Sequence, residues 1–125
     1  MEVLLAGQGE SEMTLTKANK FKMIGEKSSA VIAINMKRDE QERLPLDEVL
    51  WAVACAVQNI HLHAASLNIG GYWSTGAMTI HPSIRKFLHI DENDIHMGWF
   101  YLGRYTKEKI LIKSRMNEED YVSWM

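Results

Sequence analysis

The chain has 125 residues, room for one domain with a buried core, and its 46% apolar and 24% charged residues exclude a disordered or fibrous polypeptide. A formal net charge of -2 argues against a nucleic-acid footprint spread over the surface. A single cysteine, Cys55, excludes an internal disulfide framework and a cysteine-only metal site.

The opening run MEVLLAG is too short for a signal-peptide core and lacks a basic start, and no apolar run approaches membrane-spanning length. The expected setting is cytoplasmic and reducing, with no membrane partner. Ser11 to Met23 carries Met13, Leu15, Ala18, Phe21 and Met23 among lysines and predicts a helix with polar flanks. The β-branched run from Ser29 to Asn35 is too continuous for a strand with one wet face, which predicts a buried, central strand. Lys37 to Arg43, KRDEQER, has six charges among seven residues and reads as a solvated loop.

A long helix follows, expected over 46–69. Val49, Val53, Ala56, Val57, Ile60, Ala64 and Leu67 recur at spacings of three and four and define a wide buried face. Pro45 before Leu46 and Asp47 gives the start, and Gly70-Gly71 the expected stop. Alanines at 52, 54, 56, 64 and 65 thin the helix, which suits a central position or a subunit contact. Within it Cys55 reads as a small buried hydrophobe rather than a reactive thiol.

Tyr72-Trp73-Ser74 predicts a second strand ending in Thr75-Gly76-Ala77. Pro82 starts a short helix, PSIRKFL, with Ile84, Phe87 and Leu88 on one side. Asp91 to Asp94 makes a polar turn, and His96 to Gly103 is an apolar, aromatic-rich third strand. Ile110-Leu111-Ile112 is a short extended piece before Lys113-Ser114-Arg115. Between Arg104 and Arg115 five cations face one acid, Glu108, a local charge that suits a phosphate-bearing ligand or a solvated face. Alternating strands and helices place the fold in the α/β or α+β class.

Five histidines raise the question of a metal. His61 and His63 are two apart on a helix and point about 200° apart, so they do not chelate one ion. His81, His89 and His96 have no clustered carboxylates at ligand spacing, and no metal site is expected. The chain has no G-x-S-x-G elbow, no G-x-G-x-x-G and no P-loop. No side-chain constellation would do chemistry alone, so an enzymatic role requires a cofactor.

The run AVIAINM, the alanine-rich helix with QNIHLHAASLNIGG, then YWSTGAMTIHPSIRKFLHI and GWFYLGRY, resembles the C-terminal portion of the FMN-dependent nitroreductase family over roughly Ser28 to Tyr105. The resemblance implies an α+β, nitroreductase-like sandwich with a mainly antiparallel central sheet, strands near 30–35, 71–75 and 96–103, flanked by helices. It further implies that Trp73, Ser74, Thr75 and Gly76 pass the flavin ring and offer backbone hydrogen bonds to its edge. Lys113 and Arg115 match the family's K-x-R clasp on the FMN phosphate. Read locally, Ser74-Thr75-Gly76 is also a plain strand-ending turn, and Lys113-Ser114-Arg115 a solvated basic triplet.

The implied activity is two-step electron transfer. NAD(P)H would reduce FMN, then give way to a small-molecule electron acceptor such as a nitroaromatic or quinone, in an intertwined homodimer. The sequence departs from the family in lacking its R-R-S-type opening motif and its S-x-x-x-Q-P-W-like stretch, and Arg104-Tyr105 follow Gly103 where many relatives have proline. The expectation is a single domain, 1–125, without the family's N-terminal segment. A non-catalytic remnant and a flavin-binding module without turnover stand as alternatives.

Overall fold

A computed structural model describes residues 12–76, 81–106 and 116–124. In chain order the elements are α1 (Glu12–Lys27), β1 (Ala30–Met36), α2 (Leu46–Ser66), β2 (Ile69–Ser74), α3 (Pro82–Phe87) and β3 (Ile95–Arg104), followed by a 3-10 turn at Glu118–Asp120. The three strands form an antiparallel sheet in the order β1-β3-β2, so the fold is α+β with helices against an antiparallel sheet.

The strand expected to be central is not. The aromatic-rich β3 takes the middle and β1 lies at an edge among the described residues. The β-branched run at 30–35 reported apolar character, which an edge strand packed against α2 shares with a central one. In β1 only Ile34 and Met36 are buried, and Val31 is exposed. Phe100, at 0% exposure on β3, is the centre of the core. Ile34 and Val57 pack with it, along with Ile32, Val53, Ile60, Trp73, Met97 and Leu102. The His61 ring adds an edge contact to Phe100, with centroids 5.5 Å apart.

Helix α2 starts after Pro45, as the sequence indicates, and ends three residues before the expected 69. Its stop is Asn68, whose φ of 57° is left-handed, with the Leu67 and Asn68 amides closing onto the Ala64 and Ala65 carbonyls. Gly70 and Gly71 therefore lie inside β2 and terminate nothing. The buried face is narrower than the periodicity suggested. Val57 and Ala64 are buried and Val53 and Ile60 partly so, whereas Ala56 and Leu67 are exposed.

Cys55 is also exposed, which corrects its reading as a buried hydrophobe. At about 100° per residue it falls near Trp51 and Leu62, roughly opposite the stripe that meets the sheet. Trp51 is 65% and Leu62 60% exposed, so α2 carries a second apolar stripe on its outer side.

Short connections hold the frame. The Arg38 amide donates to Asp94 Oδ1 at 2.8 Å, tying the loop after β1 to the turn before β3. Arg85 of α3 reaches the same turn, donating to the Asp94 carbonyl at 2.9 Å and to the Asp91 carbonyl. His81 caps α3, its Nδ1 accepting from the Ser83 amide at 3.2 Å. Among the described residues no helix is long and apolar enough to cross a membrane.

Candidate functional site

Strand β2 delivers the four residues singled out beside the flavin to one end of the sheet. Trp73 points into the core against Phe100, and Ser74, the last strand residue, is buried. Thr75 and Gly76 leave the sheet and are exposed. Two of the four positions are thereby ordered by their neighbours, a core side chain and a buried strand end, and the other two follow as surface backbone. Among the described residues a Cβ placed on Gly76 meets nothing within 4 Å, so they leave open space beside that backbone.

A bulge in β3 fixes where this loop emerges. Ile34 pairs with Gly98 and Asn35 with His96, so Met97 is the extra residue. Its carbonyl accepts from the Trp73 indole Nε1 at 3.0 Å. Gly98 beside it has φ 120°, and a Cβ there would sit 2.2 Å from the Ser74 carbonyl oxygen. Only glycine gives both the backbone angle and the close approach. The strand end that carries Ser74 is thus held by a side-chain hydrogen bond on one residue and backbone proximity on the next.

His96 lies just across the bulge and is 6% exposed. Its Nδ1 is 2.7 Å from Asn35 Oδ1. An amide oxygen accepts, so the pairing holds a proton on Nδ1 and leaves Nε2 as an acceptor. That Nε2 is buried and has no hydrogen-bond partner among the described residues. Burial in this pocket pushes the His96 pKa down, against an opposing backbone contribution from Ile34. The Trp99 ring packs edge-on at 4.9 Å. His96 stays neutral near pH 7 and cross-braces β1 to β3.

Lys113 and Arg115, matched to the phosphate clasp, lie outside the described residues, as do Ala77 and the extended piece at 110–112. The structure therefore brings together Trp73, Ser74, Thr75 and Gly76. It adds Met97, Gly98, His96 and Asn35, which the sequence reading did not single out as site-forming. A glycine inside the aromatic run HMGWFYLG was the available signal, since an isolated strand glycine marks a bulge or close backbone approach. Among the described residues no group of three or more His, Cys, Asp or Glu side chains is placed to hold a metal ion.

Comparison with known proteins gives three findings. A family model described as the nitroreductase family matches residues 2–104. YdjA of Escherichia coli (strain K12), provisionally named an NAD(P)H nitroreductase, is 32% identical over 73 residues, covering 58% of this chain. The chain spans 40% of the length of YdjA. The crystal structure of a nitroreductase-like family protein from Bacillus cereus superposes with a TM-score of 0.72 at 18% identity, covering 99% of this chain and 65% of that one. The superposition carries the fold.

Proposed function

The chain belongs to the nitroreductase family, and from that membership we propose that it is an FMN-dependent NAD(P)H oxidoreductase acting on a small electron-poor acceptor such as a nitroaromatic or a quinone. The observation that carries the reading is the fixed end of β2. Trp73 is bonded to Met97, Ser74 lies against Gly98, and the exposed backbone of Thr75 and Gly76 leaves from that anchor with open space beside it.

These residues fit a planar group approaching a backbone edge, because a glycine with nothing near its Cβ position admits a ring at van der Waals distance. FMN, when bound, supplies the two-electron redox chemistry between the nucleotide and the acceptor. The chain's own part is to bind and orient. Backbone groups at Ser74 to Gly76 would hydrogen-bond the ring edge without titrating. Lys113 and Arg115 would neutralise the phosphate, Arg115 with a planar fork suited to two oxygens. Burial of Ser74 and Trp73 keeps the strand end rigid, so orientation costs little at binding.

A homodimer is part of the proposal. The outer stripe of α2, with Trp51, Cys55 and Leu62 exposed, is large-residue apolar surface that a second copy would cover.

The test is the visible spectrum of the purified chain after incubation with excess FMN and removal of unbound flavin, followed by NAD(P)H addition. Retained flavin bands that bleach with NAD(P)H are expected. A chain that retains no flavin overturns the reading. Retained flavin that NAD(P)H fails to bleach overturns the activity and leaves a binding module.

A further inference from the structure

The opposite end of the sheet carries a cleft that the flavin reading does not use. It lies on the face turned away from α2, where α1 ends against β2 and β3, and its volume is about 370 Å³. Tyr72 and Tyr101 form one wall, with rings 6.4 Å apart and 24° from parallel, and Tyr105 stands opposite beside Gly70. A Cβ on Gly70 would come within 3.0 Å of the Tyr105 ring, so that ring packs closely over the Gly70 backbone. Along β2 its Gly70 end is four residues from Ser74, roughly 13 Å at strand spacing, its Tyr72 wall is two residues away, and none of Trp73 to Gly76 lines it.

Among the described residues that line it the charges have one sign: Lys27, the last residue of α1, and Arg104, the last of β3, and no carboxylate. Neither cation forms an ion pair among the described residues, and Glu26 next to Lys27 faces Lys22 at 3.9 Å instead. Two uncompensated cations over aromatic walls favour a ligand that is both flat and anionic. The volume, near the lower end for small-molecule sites, admits a single ring with a carboxylate with room to spare. We propose that this cleft is a second ligand site that takes a small aromatic carboxylate, its ring against Tyr72 and Tyr101 and its charge toward Arg104 and Lys27.

The test is an amide-resolved NMR titration of the full chain with benzoate, with benzamide as the uncharged ring and inorganic phosphate as the ringless anion. Benzoate is expected to move the Gly70, Gly71 and Gly103 amides saturably, with a dissociation constant on the order of 1 mM for so open a site. Benzamide should bind roughly fivefold more weakly, and phosphate should leave those amides in place. Arg104→Gln should weaken benzoate by a similar factor. Lys27→Gln, on a different element, provides the same readout if the first variant does not fold.

The proposal is overturned if those amides do not shift up to about 10 mM benzoate. It is equally overturned if benzamide matches benzoate or if both charge variants bind unchanged. Self-association that Tyr72→Ala abolishes and benzoate does not compete would assign the face to a second copy and overturn it too. None of these readouts involves flavin, so this site and the flavin reading succeed or fail separately.

Discussion

The Trp73 indole donates to the Met97 carbonyl at 3.0 Å, and this bond joins the end of β2 to the bulge of β3. Bulge carbonyls are left over by the ladder and need a partner when buried. Trp73 supplies one from a side chain that is also part of the core. Trp73→Phe keeps most of the ring volume and removes the donor. Its expected cost is about 1–2 kcal/mol in urea unfolding, the range for a buried acceptor left unsatisfied. A change of a few tenths would show that water replaces the indole.

Gly98 and Gly76 make opposite predictions. Gly98→Ala would place a methyl 2.2 Å from the Ser74 carbonyl at a φ of 120°, so β2 and β3 must separate. A loss of about 3 kcal/mol or more is expected from chemical denaturation. Gly76→Ala meets nothing within 4 Å and should change stability by no more than about 0.5 kcal/mol. If the backbone at 76 receives a ring, the same methyl should reduce FMN retention severalfold. Unchanged retention would remove Gly76 from the site.

His96 gives stability a pH dependence of defined sign. Its folded pKa lies below the ordinary 6.5 because burial disfavours the charged ring. Below about pH 6.5 the unfolded chain therefore binds more protons than the fold, and stability rises with pH. The contribution is fully present above the unfolded value and is lost as pH falls from there through the lower folded value. His96→Gln should unfold with a flatter pH profile than the parent chain below about 6.5. Parallel profiles would show that His96 titrates as freely in the fold as out of it.

The outer stripe of α2 predicts concentration-dependent chemistry at Cys55. In the isolated chain the thiol is exposed, so a thiol reagent should label it readily when the protein is dilute. If a second copy covers Trp51 and Leu62, labelling should slow as concentration rises. Leu62→Glu, at a position already 60% exposed, should then shift sedimentation toward monomer with the circular dichroism of the fold retained. Labelling independent of concentration would exclude this stripe as the contact.

Most elements were legible because their signals are local. Proline starts both α2 and α3, and the aromatic run of β3 has no competing reading. The errors fell where a signal has two physical causes. Gly70-Gly71 resembled a helix stop, yet Asn68 supplied the left-handed residue, a role a short polar side chain also fills. Continuous β-branching at 30–35 resembled a central strand, and strand order depends on partners far away in the chain. Cys55 was misread because α2 is apolar on two sides and a single-face pattern cannot divide them.

The candidate site was legible in its loop and hidden in its support. Trp73 to Gly76 stand together in the sequence, so a resemblance could find them at once. Met97 and Gly98 act on that loop from 24 residues away, counting Trp73 to Met97, through a carbonyl and an absent side chain. Neither feature has a residue-type signature beyond a glycine among aromatics.

The lock between β2 and β3 also implies an uneven tolerance to substitution in neighbouring positions. At 97 the bond uses only a main-chain oxygen, which every residue type possesses, so any apolar side chain that fills the same space serves. At 98 the requirement is for nothing at all beyond Cα, and no other residue type meets it. At 73 the need is for a ring that reaches and carries an N–H, which tryptophan alone combines with that bulk. In a saturation library the three positions should therefore separate into a permissive 97, a 73 that takes other rings at a moderate cost, and a 98 that accepts almost no replacement.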